Sequence, residues 1–341
     1  MSLKSGHRIV PLLFEEAEKQ YQHFHRYRTG TIRLDPDGWF FTTPFIIFAD
    51  KYYDFKFKPS DVLIMTYPKS GTTWTQEIVW TMMHNPNFNN PKATLPLLVR
   101  SPPLHFDFIM YGSAADPTAP GTSLHDTFVQ AHPNRNPKDG VFLQLAELTE
   151  DPRIIKTHLP FSLLSPSLLE TCKVIYMTRD PKDVAVSYCH HSKLLKMINF
   201  LGSTSDFVEH FVNDTLVYGP FWTHLKEAWN KRSHPNIHIC FYEDMKANPK
   251  EEILRIHKFL DLDLTESQIN KEMSKREDDN IMGSDNEIMN TKILNKDGGF
   301  FRKGVTGDYK NKLSEEDIQK INEWTKENTR DMDDEFKYKI K

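Results

Sequence analysis

Residues Asp61–His84 read "DVLIMTYPKSGTTWTQEIVWTMMH", and the order of elements within this stretch sets the fold. Its first seven residues are nearly continuous in apolar character, as in a strand covered on both faces. A turn at Ser70 and Gly71 follows, and a helical pattern starts at Thr72. A strand that passes through a tight turn into a helix points backbone N–H groups at an anion, with the helix dipole in support. Lys69 adds a point charge, and the Thr72 and Thr73 hydroxyls add donors. Trp74 offers a flat face for stacking a base. The lysine precedes the turn, whereas in the triphosphate loop G-x-x-x-x-G-K-[ST] it follows the second glycine. The alternative is an ordinary helix start with a solvated Lys69. The β-run before the turn and the TTW after it favour an anion site.

The same alternation recurs along the chain. "RIIKTH" (153–158), "KVIYMTR" (173–179) and "NIHICFY" (236–242) read as strands. Asp180 caps and Pro181 opens a helix over "DVAVSYCHHSKLL", and Asn248-Pro249 does the same for "KEEILRIHKFLDL". Ser314 with Asp317 resembles a capping box before "EEDIQKINEWTKEN". Strand, loop and helix in alternation predict βαβ units: an α/β fold whose central parallel sheet is flanked by helices on both faces around a P-loop-like nucleotide-binding core. Ligands of such sheets sit beyond the carboxyl ends of the strands. Lys69, His158, Arg179 and Tyr242 all fall at or just past strand ends, which predicts one site.

A chain of 341 residues that is 38% hydrophobic fills a substantial core. We expect a single domain over 1–341, with 1–60 forming an aromatic-rich part of the acceptor side. A net charge of −4 gives no global electrostatic case for nucleic acid or an anionic membrane, so local basic clusters must carry any anion binding. The amino terminus lacks an apolar h-region and no run of 18 apolar residues occurs, so a cytoplasmic protein without a membrane partner is expected. Cys172, Cys189 and Cys240 are odd in number and far apart, and read as reduced thiols. Neighbouring positions in "CHH" (189–191) diverge on a helix, and no metal is expected there. Residues 112–140, rich in Pro, Gly, Asn and Ser, read either as a mobile binding loop or lid or as a disordered surface insertion.

Three more segments carry candidate chemistry. In "YMTRDPKDVAVSY", Arg179 at a strand end beside a helix start suits a phosphate monoester, with Ser187 two turns on. The alternative for Arg179 is an ion pair with Asp180 or Asp183. In "FFRKGVTGDYKN", Arg302, Lys303 and Gly304 combine two cations with a pliant backbone; a solvated basic loop is equally consistent. In "IIKTHLP", His158 is a natural general base, and Lys156 lies on the same side of an extended chain. A core-edge histidine bonded to a carbonyl is the alternative. Three basic loops suit a ligand with more than one anionic group.

Taken together, these motifs resemble the cytosolic sulfotransferases. "YPKSGTTW" is similar to their loop for the 5′-phosphosulfate of 3′-phosphoadenosine 5′-phosphosulfate (PAPS). "RDPKDVAVSYCHH" resembles their 3′-phosphate segment, and "RKGVTGDYKN" their carboxyl-terminal element, with Tyr309 in place of tryptophan. "KTHLP" and "CFYEDMKANPKEEI" match in the right order. The resemblance runs from about Asp61 to Asn328, and its wording is similar to the insect branch that includes retinol dehydratase. It implies that Lys69, Ser70, Gly71, Thr72 and Thr73 hold the 5′-phosphosulfate. Arg179, Ser187, Arg302, Lys303 and Gly304 would hold the 3′-phosphate, and Trp74 and Tyr242 would contact adenine. His158 would be the catalytic base, Lys156 and Lys69 would stabilise the transferring group, and PAP would be the product.

The resemblance further implies a small, mostly apolar hydroxyl acceptor, a detoxifying role and no metal, since a sulfuryl group carries less negative charge than a phosphoryl group. The phenylalanine of the family's T-S-F-x-x-M element has no counterpart in 270–290, so no adenine contact is assigned there. The family's dimer motif is degenerate at Lys310–Gln319, and the oligomeric state is left open. A kinase would need a glycine-first loop and a carboxylate for Mg²⁺. A dehydratase that sulfates and then eliminates, and a non-catalytic nucleotide-binding or lipophile-binding relative, are the remaining alternatives.

Overall fold

The structure, a computed structural model, describes residues 2–27, 30–277 and 304–340. Among these residues, β1 (Arg8–Pro11), β2 (Thr31–Asp35) and β3 (Trp39–Thr42) form an antiparallel sheet. The central sheet holds β4 (Val62–Thr66), β5 (Ile154–Thr157), β6 (Lys173–Thr178) and β7 (Ile237–Phe241), all parallel, in the order β5-β4-β6-β7. These are the four strands marked in the sequence, trimmed by a residue at one or both ends. From β4 the chain steps to β5 on one side and to β6 and β7 on the other. The order therefore reverses at β4, and a crevice opens beyond the carboxyl ends of β4 and β6.

Both faces of this sheet are covered, which is why its strands lack polar alternation. Leu63, Met65, Val174 and Tyr176 face an aromatic core that includes Trp39, Phe41, Phe45 and Phe108. The helices Pro181–Leu194, Thr204–Val212, Phe221–Asn230 and Glu315–Asn328 contribute to the same core. The alternate residues Val62, Ile64, Ile175 and Met177 pack with Ile78 and Val79 of helix Thr72–His84 and with Ile253 and Ile256 of helix Pro249–Leu260. Each fully buried side chain of this size contributes about 1.5–3 kcal/mol of transfer free energy.

Helix starts follow the local chemistry. The Asp180 carboxylate accepts from the Lys182 N–H, the Asn248 side chain accepts from the Glu251 N–H, and Ser314 and Asp317 close a reciprocal capping box. At the opposite end of the sheet from the crevice, Arg153 and Asp61 make a two-pronged ion pair, 2.7 Å at Nε and 2.5 Å at Nη2, with both side chains buried.

One region differs from the sequence reading. The stretch 112–140 is not without order: it holds helix Ser123–Ala131, capped by Thr122, and a short 3-10 turn at Pro137–Asp139. Only Phe128 of that helix is buried, so its apolar signal is too sparse to register. "HFDFIM" contains the short helix Phe106–Met110. The first sixty residues include two helices, Phe14–His23 and Phe45–Tyr53, besides the antiparallel sheet. This sheet reaches the core of the molecule: Phe40 donates from its N–H to the Gly219 carbonyl at 2.8 Å and accepts from the Tyr218 N–H at 3.0 Å. The three cysteines are free and buried. No helix among the described residues is long and apolar enough to cross a membrane.

Candidate active site

The turn after β4 is built from unusual backbone. Lys69 sits at φ 69° and Gly71 at φ 111°, both left-handed. A non-glycine residue held there stores strain, a feature that clusters at ligand sites. Gly71 is required for a second reason: a Cβ on it would lie 2.8 Å from the Tyr242 ring. Tyr242 therefore fills the space that a side chain at position 71 would need. Ser70 is fully buried, and its Oγ has no hydrogen-bond partner among the described residues. Thr72 is buried at the start of the helix, with its hydroxyl 2.6 Å from that of Thr66. Thr73 and Trp74 follow, half-buried.

Arg179, at the end of β6, ties the loops together. Its guanidinium donates to the Lys69 carbonyl at 3.4 Å and to the Val305 carbonyl at 3.0 Å, and lies 4.3 Å from the centre of the Tyr242 ring. Its Nε is buried with no partner among the described residues. The ion pair weighed from sequence is present too, with Asp183 at 3.8 Å. Asp183 in turn accepts from the N–H groups of Gly307 (2.7 Å) and Tyr309 (3.2 Å). The Tyr242 hydroxyl donates to the Gly304 carbonyl at 3.0 Å. Loops after β4, β6 and β7 and the segment from Gly304 therefore converge. Ser187 is buried on helix Pro181–Leu194. Arg302 and Lys303, and residues 278–290 of the unassigned adenine segment, lie outside the described residues.

Trp74 meets Tyr242 edge-on, with centroids 5.6 Å apart, and the Lys246 ammonium lies 5.0 Å from its ring centre. Its ring is therefore already framed by a cation that the sequence reading did not include. An arrangement of buried Ser70 Oγ and Arg179 Nε without partners, beside a strained turn and a helix start, fits a phosphate-bearing ligand that would satisfy them.

His158, the base expected from sequence, lies where β5 ends. His158 Nδ1 is 2.8 Å from the Thr66 carbonyl and 3.1 Å from the Thr66 hydroxyl. A carbonyl only accepts, so Nδ1 carries the hydrogen and neutral His158 keeps a lone pair on Nε2. Burial, then the Lys156 charge, holds its pKa well below 6.5. The His158 carbonyl accepts from His224 Nε2 at 3.1 Å, and His224 Nδ1 accepts from the Tyr176 hydroxyl at 2.7 Å, fixing the backbone from behind. The Lys156 ammonium lies 4.5 Å from the centre of the Phe106 ring.

Sequence reasoning missed His105, Tyr218 and His191. His105 is fully buried, and its ring lies 5.0 Å from that of His158; Tyr218 packs edge-on against both. His191 was weighed only as a metal ligand. Burial, followed by the Lys69 and Lys156 charges, pushes its pKa well down. His105 and Tyr218 stand in none of the motifs read from sequence, and His191 closes the "RDPKDVAVSYCHH" segment without a role assigned to it.

Comparison with known proteins agrees with this geometry. Residues 59–333 match the family model described as the sulfotransferase domain. The chain belongs to the sulfotransferase family. This sulfotransferase is 32% identical to luciferin sulfotransferase of Photinus pyralis over 293 residues, 83% of its own length and 75% of the relative's. It is also similar to retinol dehydratase in a complex with retinol and PAP, with a TM-score of 0.84 and 30% identity over 97% of this chain and 98% of that one. A second structure of retinol dehydratase, with androsterone and inactive cofactor PAP, matches at the same TM-score and 29% identity, over the same shares of both chains.

Proposed function

We propose that this sulfotransferase moves the sulfuryl group of PAPS to the hydroxyl of a small, mostly apolar acceptor, with His158 as general base. The observation that carries this reading is the Nδ1 contact of His158 with the end of β4. It leaves Nε2 as the basic atom, and it ties the base to the strand that leads into the anion loop. PAPS supplies an activated sulfuryl group on a phosphate leaving group. Lys69, Ser70, Gly71, Thr72 and Thr73 hold the 5′ side. Arg179, Ser187 and Gly304 hold the 3′-phosphate, with the sequence-assigned Arg302 and Lys303. Trp74 and Tyr242 hold adenine. Positioning and charge stabilisation dominate such a transfer. Lys69 balances charge on the leaving oxygen and Lys156 on the transferring group, in place of a divalent ion.

The acceptor side is aromatic. Phe41 stacks on Phe45 at 4.0 Å, and Phe108 packs edge-on against both and against Tyr218, beside the two histidines. This supports an apolar alcohol or phenol. In this reading residues 1–60 belong to the acceptor side of one domain, 112–140 serve as its lid, and the protein works in the cytoplasm. The similarity to retinol dehydratase favours a second reading, in which the sulfated alcohol then eliminates sulfate. Incubation with PAPS and a panel of phenols, sterols and retinoids, followed by mass spectrometry, tests both. Sulfate esters or dehydrated alcohols, formed at rates unchanged by EDTA, are expected. Absence of any PAPS-dependent product, or a rate that collapses with EDTA, contradicts the proposal.

A further inference from the structure

His105 reaches the site by a route that the loops do not explain. The segment before it runs beside β5 as an added edge: the Lys156 N–H donates to the Pro102 carbonyl at 3.0 Å, and the Leu104 N–H donates to the Lys156 carbonyl at 2.9 Å. Pro103 pairs with Lys156 in parallel register, so His105 is delivered level with the end of β5. There the His158 N–H donates to His105 Nδ1 at 3.3 Å. Nδ1 is thereby an acceptor, and in the neutral ring the hydrogen sits on Nε2. That Nε2–H is buried and has no partner among the described residues. A buried donor left without a partner is unfavourable, and such groups in native proteins call for a ligand or another explanation. Ser70 Oγ and Arg179 Nε show the same condition in the anion site. Burial, then the Lys156 charge, disfavours a charged His105, so it acts as a neutral donor.

We infer that His105 is a second substrate-contacting residue, whose Nε2–H donates to the acceptor oxygen beside His158 and selects oxygen over nitrogen nucleophiles. The inference rests on the proposed function above. In the transfer, one lone pair of the acceptor oxygen forms the new O–S bond. The bond from sulfur to the 5′-phosphate oxygen breaks with its electron pair on that oxygen, and the hydroxyl proton passes to His158 Nε2. A hydroxyl oxygen has a second lone pair, which accepts from His105 throughout. A neutral amine has a single lone pair, which attack on sulfur consumes, so it leaves the His105 donor unsatisfied. A mismatch of this kind discriminates more strongly than a difference in size.

The test compares acceptors that differ only at the nucleophile: 2-naphthol with 2-naphthylamine, and a retinoid-length primary alcohol with an aniline of equal reach, both amines being neutral at assay pH. With PAPS and the unaltered protein, kcat/KM should favour oxygen in each pair by roughly tenfold to a hundredfold. His105→Phe should collapse that ratio by about tenfold or more, while PAP affinity stays within about threefold. His105→Gln restores an N–H and should recover most of the ratio. Losing the His158 N–H contact alone would slow both members of a pair equally and leave the ratio intact. Equal rates within the pairs for the unaltered protein, or an unchanged ratio in His105→Phe, overturns the inference. If His105→Phe does not fold, the unaltered protein and His105→Gln still decide it. Failure of every acceptor with the unaltered protein instead overturns the proposed function on which it rests.

Discussion

At the scale of single residues, the account depends on which nitrogen of His158 carries the proton. Thr66 decides this with a carbonyl, and burial with the nearby Lys156 charge keeps the ring neutral. The sign follows: a pKa held below 6.5 leaves the base competent in more acidic solution than a free histidine would be. The pH profile of kcat/KM should therefore stay flat from about pH 8 to 6.5 and fall only below. An acidic limb centred at or above 6.5, measured at several acceptor concentrations, would show that His158 titrates normally. His158 was legible because "KTHLP" fixes it at a strand end before a proline. His105 was not, because the cue that brings it there is backbone pairing between Pro103 and Lys156, residues 53 apart along the chain. No side-chain pattern encodes that pairing.

At the scale of elements, the carboxyl ends of β4, β6 and β7 act as one frame. The turns were readable because each follows an apolar run and precedes a helix, capped by Asp180 in the case of the turn after β6. Their mutual bonds were not readable, since Arg179 reaches the Lys69 and Val305 carbonyls and carbonyls leave no trace in a sequence. The N-terminal strands escaped for another reason. β1 and β3 are four residues long, and the residues of β3 are all buried, so periodicity has little to act on. Gly71 tests the frame. In Gly71→Ala the new Cβ meets Tyr242 at 2.8 Å while φ 111° disfavours any side chain. Calorimetry should show PAP bound about tenfold or more weakly, with a strain of about 1–3 kcal/mol in the turn. Unchanged PAP affinity would mean that the Tyr242 packing is irrelevant to the anion loop.

At the scale of the molecule, the central sheet has two ends with different work. The carboxyl end carries the proposed site, and the amino end carries the Arg153–Asp61 pair. Removing one partner strands the other as a buried charge, so Asp61→Ala should lose about 3–5 kcal/mol of stability. Melting should fall by several degrees, while the folded fraction binds PAP as before; a melting point unchanged within error would contradict the assignment. Fold class was legible at this scale because four strands and their helices share one pattern. The aromatic cluster proposed as the acceptor side was less so, because it joins the N-terminal sheet, helix Phe106–Met110 and the Tyr218 turn, far apart in sequence.

The central claim is that the anion frame and the base are separate parts of one site. His158→Ala tests it most directly, with PAP affinity by calorimetry and single-turnover rates with PAPS measured on the same preparation. The account predicts a rate lower by about a hundredfold to ten-thousandfold with PAP affinity nearly unchanged. Retained turnover, or loss of PAP binding along with the rate, would contradict it.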